Sequence, residues 1–200
     1  MSRSKARPNR WEDHYSRRAR KEKYPARSVY KLQEIQKKYN LINTRDKVLD
    51  LGCYPGSWLL FAATLTGPRG QVVGIDLRPI TIKLPAHVRG YTTDVFSLND
   101  DFLAAEGRDF NVVISDMAPE TSGNKFVDNT RSFNLSCAAL SIAQRLLVPG
   151  GSFACKIFQG EDFKVFADSV KAGFKLCKTY KPQSSRKASR EIFVIGLGKK

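Results

Sequence analysis

Between Leu41 and the last residue, short apolar runs alternate with amphipathic stretches, and this restricts the chain to a parallel α/β sheet more than any other feature does. The strand candidates are Lys47–Leu51, Gln71–Asp76, Arg89–Thr93, Phe110–Ser115, Gly151–Ile157, Lys175–Tyr180 and Ile192–Leu197. Helices fit between them near Ser57–Leu65, Leu98–Glu106, Asn129–Leu147 and Phe163–Ala172. An earlier helix begins at Ala26, with Val29, Leu32 and Ile35 at spacings of three, and carries Lys31. Only the loop from Lys181 to Arg190 separates the last two strands, so the final strand is expected to form an antiparallel hairpin. The pattern predicts a Rossmann-like, doubly wound sheet of seven strands, mostly parallel, with an antiparallel last strand.

Two hundred residues suit one such domain, read as residues 27–200 after a basic, flexible segment 1–26 in which Trp11, Tyr15 and Tyr24 interleave with the charge. No apolar run approaches the roughly 18 residues of a membrane span, and no apolar stretch follows the basic start as in a secretory signal. A soluble, cytoplasmic protein is expected. Cys53, Cys137, Cys155 and Cys177 are too scattered for a metal site or a disulfide framework.

The net charge of +15 is unevenly spread. Residues 1–38 hold 13 Lys/Arg against 4 Asp/Glu, residues 171–200 hold 9 against 1, and the middle holds 12 against 14. A near-neutral body with two basic ends suits a phosphate backbone, because each neutralised phosphate releases counterions. The same excess also fits an anionic membrane surface or an acidic protein.

The stretch Val48-Leu49-Asp50-Leu51-Gly52-Cys53-Tyr54-Pro55-Gly56-Ser57-Trp58 is a strand entering a glycine turn and then a helix, where an open α/β sheet holds a cofactor. Its spacing is not Gly-x-Gly-x-x-Gly, which disfavours a dinucleotide and suits S-adenosylmethionine, a cofactor without pyrophosphate. Asp76 ends the second strand 24 positions after Gly52, near the roughly 20 expected of a carboxylate on a ribose. Asp94, after the third strand, could accept an adenine amino group. Either aspartate could equally be a turn or cap residue.

The fourth strand delivers Asp116 to its carboxyl edge, and Lys156 interrupts the apolar run of the fifth. A lysine inside a sheet is costly unless partnered. Here the residues resemble the FtsJ-like ribosomal RNA 2′-O-methyltransferases, from about Tyr24 to the end of the chain. The resemblance runs through Arg27-Ser28-x-Tyr30-Lys31-Leu32-x-Glu34-Ile35, the glycine turn, Ser115-Asp116-Met117-Ala118-Pro119, Lys156-Ile157-Phe158-Gln159-Gly160 and Ser184-Ser185-Arg186-Lys187-Ala188-Ser189-Arg190-Glu191. It implies an S-adenosylmethionine-dependent methyltransferase fold and a catalytic tetrad of Lys31, Asp116, Lys156 and Glu191. It also implies cofactor contacts at Gly56, Trp58, Asp76, Asp94 and Asp116, to which the glycine turn adds Gly52. The implied substrate is a uridine of the large-subunit ribosomal RNA A-loop, in the ribosomal particle or as free RNA; separately, nothing in the chain demands an obligate protein partner or more than a monomer.

Cys53, Tyr54 and Ser57 depart from the family's usual small residues and second glycine, so the wall beside the cofactor's methionine part is expected to differ in shape. A tRNA 2′-O-methyltransferase would carry the same tetrad, although nothing in the chain resembles an added tRNA-binding domain. A silent RNA-binding assembly factor is opposed by the four occupied tetrad positions. An NAD-dependent oxidoreductase is opposed by the glycine spacing and by the loop or basic contexts of His14 and His87.

Overall fold

Seven strands form one sheet in the computed structural model, which describes residues 10–98, 102 and 105–200. They are β1 (Lys47–Leu51), β2 (Gln71–Asp76), β3 (Val88–Thr92), β4 (Phe110–Ser115), β5 (Leu147–Phe158), β6 (Phe174–Tyr180) and β7 (Glu191–Lys199). Their order is β3-β2-β1-β4-β5-β7-β6. The first five pair in parallel, and β7 runs antiparallel to both β5 and β6, slotted between them. The reversal expected of the last strand is therefore present, with β7 inside the sheet between β5 and β6. The chain order switches direction between β1 and β4, and a crevice for ligands opens at the carboxyl ends of strands beside such a switch.

Helices cover both faces: α1 (Arg10–Lys21), α2 (Val29–Tyr39), α3 (Ser57–Thr66), α4 (Lys125–Leu146) and α5 (Phe163–Gly173). Leu32 and Ile35 of α2 and Leu59, Ala62 and Ala63 of α3 pack on one face with Val48, Val72 and Ile114. Ala139, Ala143 and Leu146 of α4 and Phe166 and Val170 of α5 pack on the other, with Leu49, Val113 and Phe153. The alternation of inward residues to two faces, both covered, makes the central strands continuously apolar.

Three differences from expectation have local causes. The leading basic segment, for which the pattern gives no regular element, carries α1, held by buried Ala19 and by the Tyr15 ring against Tyr30 at 5.3 Å. Its docking residues, Tyr15 and Ala19, are four apart but isolated among charged residues, so the segment reads as a basic tail. α4 begins at Lys125 instead of Asn129 because the Asn124 carboxamide accepts the backbone N–H groups of Phe126 (3.0 Å) and Val127 (3.3 Å). α2 begins at Val29 rather than Ala26. The expected helix 98–106 falls largely outside the described residues. No helix among the described residues is long and apolar enough to cross a membrane.

Candidate active site

The turn after β1 is built for close approach. Gly52 has φ 79° and its amide, with that of Cys53, donates to the Ile75 carbonyl at 2.8 and 3.1 Å. A Cβ on Gly52 would lie 2.6 Å from Met117 Cγ, so the loop after β4 closes over this glycine. Gly56 has φ 107°, a conformation that L side chains rarely adopt, and opens α3. Asp76 at the end of β2 pins the turn: its carboxylate accepts from the Tyr54 amide and from the Arg78 amide, each at 2.9 Å. The Arg78 guanidinium covers the Tyr54 ring at 3.9 Å. Asp94 caps a short helical turn by accepting from the Phe96 amide at 3.0 Å, which leaves its second oxygen available.

Trp58 is brought to the same turn but faces inward. Its indole is buried, donates to the Ser28 carbonyl at 2.8 Å and stacks on Phe193 at 5.8 Å. What this residue can offer a ligand is its backbone N–H in the first turn of α3.

Asp50, which carried no role in the sequence reading beyond membership of the turn, is the most unusual group here. It is fully buried, and neither carboxylate oxygen has a hydrogen-bond partner among the described residues. Burial, reinforced by the nearby carboxylates of Asp116 and Asp76, holds its pKa well above the ordinary range. Asp50, Asp76 and Asp116 thus lie near enough to one another at the carboxyl edge for their charges to interact. A buried polar atom in an apolar run was the only signal in the sequence, and it is ambiguous between turn and ligand.

Lys31, Asp116, Lys156 and Glu191 converge at the carboxyl edge from α2, the end of β4, β5 and the start of β7. Lys156 Nζ lies 3.0 Å from Asp116 Oδ1 and donates to the Asp116 carbonyl at 2.5 Å. Lys31 Nζ lies 3.4 Å from Asp116 Oδ1 and 2.9 Å from Glu191 Oε2. Lys156 and Glu191 are buried, with 6% and 8% of their surface exposed. Burial works against the Lys31 ammonium, but Asp116 and Glu191 outweigh it, and its pKa is raised. Burial likewise works against the Asp116 carboxylate, and Lys156 and Lys31 outweigh that, so its pKa is lowered. Lys31 is thus held as a cation and Asp116 as an anion at neutral pH. The Phe193 ring, 6.0 Å from Lys31 Nζ and stacked on Trp58, forms an apolar floor.

The FtsJ-like methyltransferase family profile matches residues 24–199. The chain belongs to the FtsJ-like methyltransferase family. Among its relatives, the "Ribosomal RNA large subunit methyltransferase E" of Desulforapulum autotrophicum is 54% identical over 99% of this chain and 98% of its own. That of Desulfosudis oleivorans is 50% identical over 100% of this chain and 97% of its own. A crystal structure of a Plasmodium falciparum protein described as a ribosomal RNA methyltransferase shares the fold, with a TM-score of 0.76 at 24% identity, over 88% of this chain and 98% of that one.

Two residues of this methyltransferase that stood in the matched motifs without a role now have one. Glu34, one turn beyond Lys31 on α2, accepts the amides of Gln183 (2.6 Å) and Ser184 (2.8 Å) and the Tyr180 hydroxyl (3.0 Å). Arg27, one turn before Lys31, donates to the Ser184 carbonyl at 2.8 Å. Lys31 and Glu34 share one face of α2, and Arg27 lies in the turn just before the helix. That face docks the loop preceding β7 and so sets Glu191 against Lys31. The helical spacing in the sequence was visible, but not the partner 150 positions away.

Proposed function

We propose that this methyltransferase uses S-adenosylmethionine to methylate a ribose 2′-hydroxyl of large-subunit ribosomal RNA, at a uridine of the A-loop, in the cytoplasm. The observation that carries this reading is the convergence of two lysines and two carboxylates at the carboxyl edge, beside a turn suited to a cationic ligand. Relatives about half identical along their whole length, each named ribosomal RNA large subunit methyltransferase E, support the ribosomal RNA substrate. The basic α1 packs on α2, which carries Lys31, and the basic 181–190 loop leads into Glu191; together they supply charge for an RNA backbone.

The fit to S-adenosylmethionine rests on Asp50, Gly52, Gly56, Asp76 and Asp94. The unpartnered Asp50 carboxylate and its like-charged neighbours favour a ligand that carries an ammonium and a sulfonium. Asp76 and Asp94 each keep acceptor capacity for ribose hydroxyls and an adenine amine, and the backbone at Gly52 and Gly56 takes the sharp, positive-φ turn after β1. When bound, S-adenosylmethionine supplies an electrophilic methyl whose leaving group needs no acid.

The protein's own work is then to orient the hydroxyl and remove its proton. Lys31, held as an ammonium by Asp116 and Glu191, is unsuited to accept a proton; its charge steadies the developing oxyanion. Lys156 is the remaining amine and the candidate base. As the 2′-oxygen becomes nucleophilic, Lys156 takes its proton, and the ammonium formed is met by Asp116 at 3.0 Å. Glu191 keeps Lys31 in place through this step.

The test is transfer of labelled methyl from S-adenosylmethionine to large-subunit RNA from cells lacking the modification. Lys156→Ala is expected to reduce turnover by about 10²- to 10⁴-fold with cofactor affinity retained. Unchanged turnover would remove Lys156 from the role of base.

A further inference from the structure

A second basic concentration lies at the opposite edge of the sheet. A cleft of about 480 Å³ opens there around the amino ends of β1, β2 and β4, and Arg45, Lys47, Arg69, His87 and Arg89 line it. Two of these cations are compensated: Lys47 pairs with Asp109, and Arg89 pairs with Glu106 at 2.8 Å. Glu106 is buried and also bonded to Gln71 and the Tyr91 hydroxyl, so it offers nothing further to the cleft. Asp46 turns to the Asn43 amide at 2.7 Å. Arg45 and Arg69 remain exposed, and neither guanidinium has an ion pair or hydrogen-bond partner among the described residues. The loop before β1 is fixed beside the end of α3 by the Arg45 amide, which donates to the Thr66 carbonyl at 2.8 Å with Arg45 at φ 71°.

Two uncompensated arginines across a concave polar cleft focus positive potential where no tetrad or cofactor residue lies. The five residues of β1 alone separate the two edges by about 17 Å. We propose that this cleft binds a phosphodiester segment of the RNA substrate remote from the methylated nucleotide. The proposal rests on the RNA reading above and deepens it. A short single strand seated at the tetrad does not reach the cleft, whereas a folded RNA that wraps the domain does. The substrate is thereby a structured RNA large enough to touch both edges.

The test compares wild type with the Arg45→Ala/Arg69→Ala double variant in equilibrium binding, across a potassium chloride series. The probes are a folded large-subunit RNA fragment and a short oligonucleotide of the target sequence. For the folded probe the variant is expected to bind about tenfold more weakly, with the slope of log affinity against log salt reduced by about two. For the oligonucleotide no change is expected. No change with the folded probe, or equal losses with both probes, would overturn the proposal. Methyl transfer scored separately on the same RNA distinguishes failure of the methyltransferase reading from failure of the cleft, because binding is read whether or not methyl is transferred.

Discussion

Lys31 and Glu191 lie 160 positions apart in the chain, and their side chains meet at 2.9 Å. The meeting is arranged by the helix face that carries Lys31. Glu34 on that face and Arg27 in the turn before α2 hold the backbone of Gln183 and Ser184, and β7 starts seven residues beyond Ser184. Glu34 is therefore a positioning residue for the tetrad.

Glu34→Gln is expected to lower turnover by up to about a hundredfold, as a displacement near 1 Å at a reacting centre does, with cofactor affinity unchanged. Faster hydrogen exchange at the Gln183 and Ser184 amides should accompany the loss. Lost turnover with normal protection of these amides would show that Glu34 acts in some other way.

Asp50 links stability to pH. Its folded pKa lies above the unfolded value, so the folded protein binds the extra proton more readily, and stability falls as pH rises from the ordinary carboxylate range through the folded pKa. Asp50→Asn should therefore be more stable than wild type at pH 8, by about 1 kcal/mol or more, with the difference shrinking toward pH 4. The variant should also bind S-adenosylmethionine more weakly. A stability difference independent of pH, measured by denaturant unfolding, would contradict the buried, unpaired carboxylate.

Trp58 separates a structural role from a ligand role. Trp58→Phe keeps the stack on Phe193 and loses the bond to the Ser28 carbonyl, so it should cost about 1 kcal/mol and leave cofactor affinity unchanged. Trp58→Ala should cost about 3–5 kcal/mol. Calorimetric titration of Trp58→Phe with S-adenosylmethionine checks this, and a large loss of affinity would mean that the indole itself contacts the ligand.

The sheet was legible because each strand is short, apolar and bounded by turn residues, and Lys156 stood out as a charge inside such a run. The tetrad positions could be named because long motifs resemble a known family, not because spacing alone brings Lys31 to Glu191. The insertion of β7 between β5 and β6 was hidden, since a hairpin has the same local pattern at an edge or inside a sheet. α1 was hidden because the few residues it docks on Tyr30, Tyr15 and Ala19, stand among many charges and read as a basic tail. Glu34 was hidden because its partners are backbone amides, which carry no residue identity. Asp50 was read as part of a turn, since burial without a partner becomes apparent only in three dimensions.

The most direct measurement concerns the atom that receives the methyl group. Large-subunit RNA labelled by the wild-type protein with methyl from S-adenosylmethionine should be digested with alkali, which needs a free 2′-hydroxyl to cleave the adjacent phosphodiester. Label in alkali-resistant dinucleotides, beginning with a uridine, is the expected result, absent with Lys156→Ala. Label released entirely in mononucleotides would place the methyl on a base and contradict 2′-O transfer by the Lys31, Asp116, Lys156 and Glu191 tetrad.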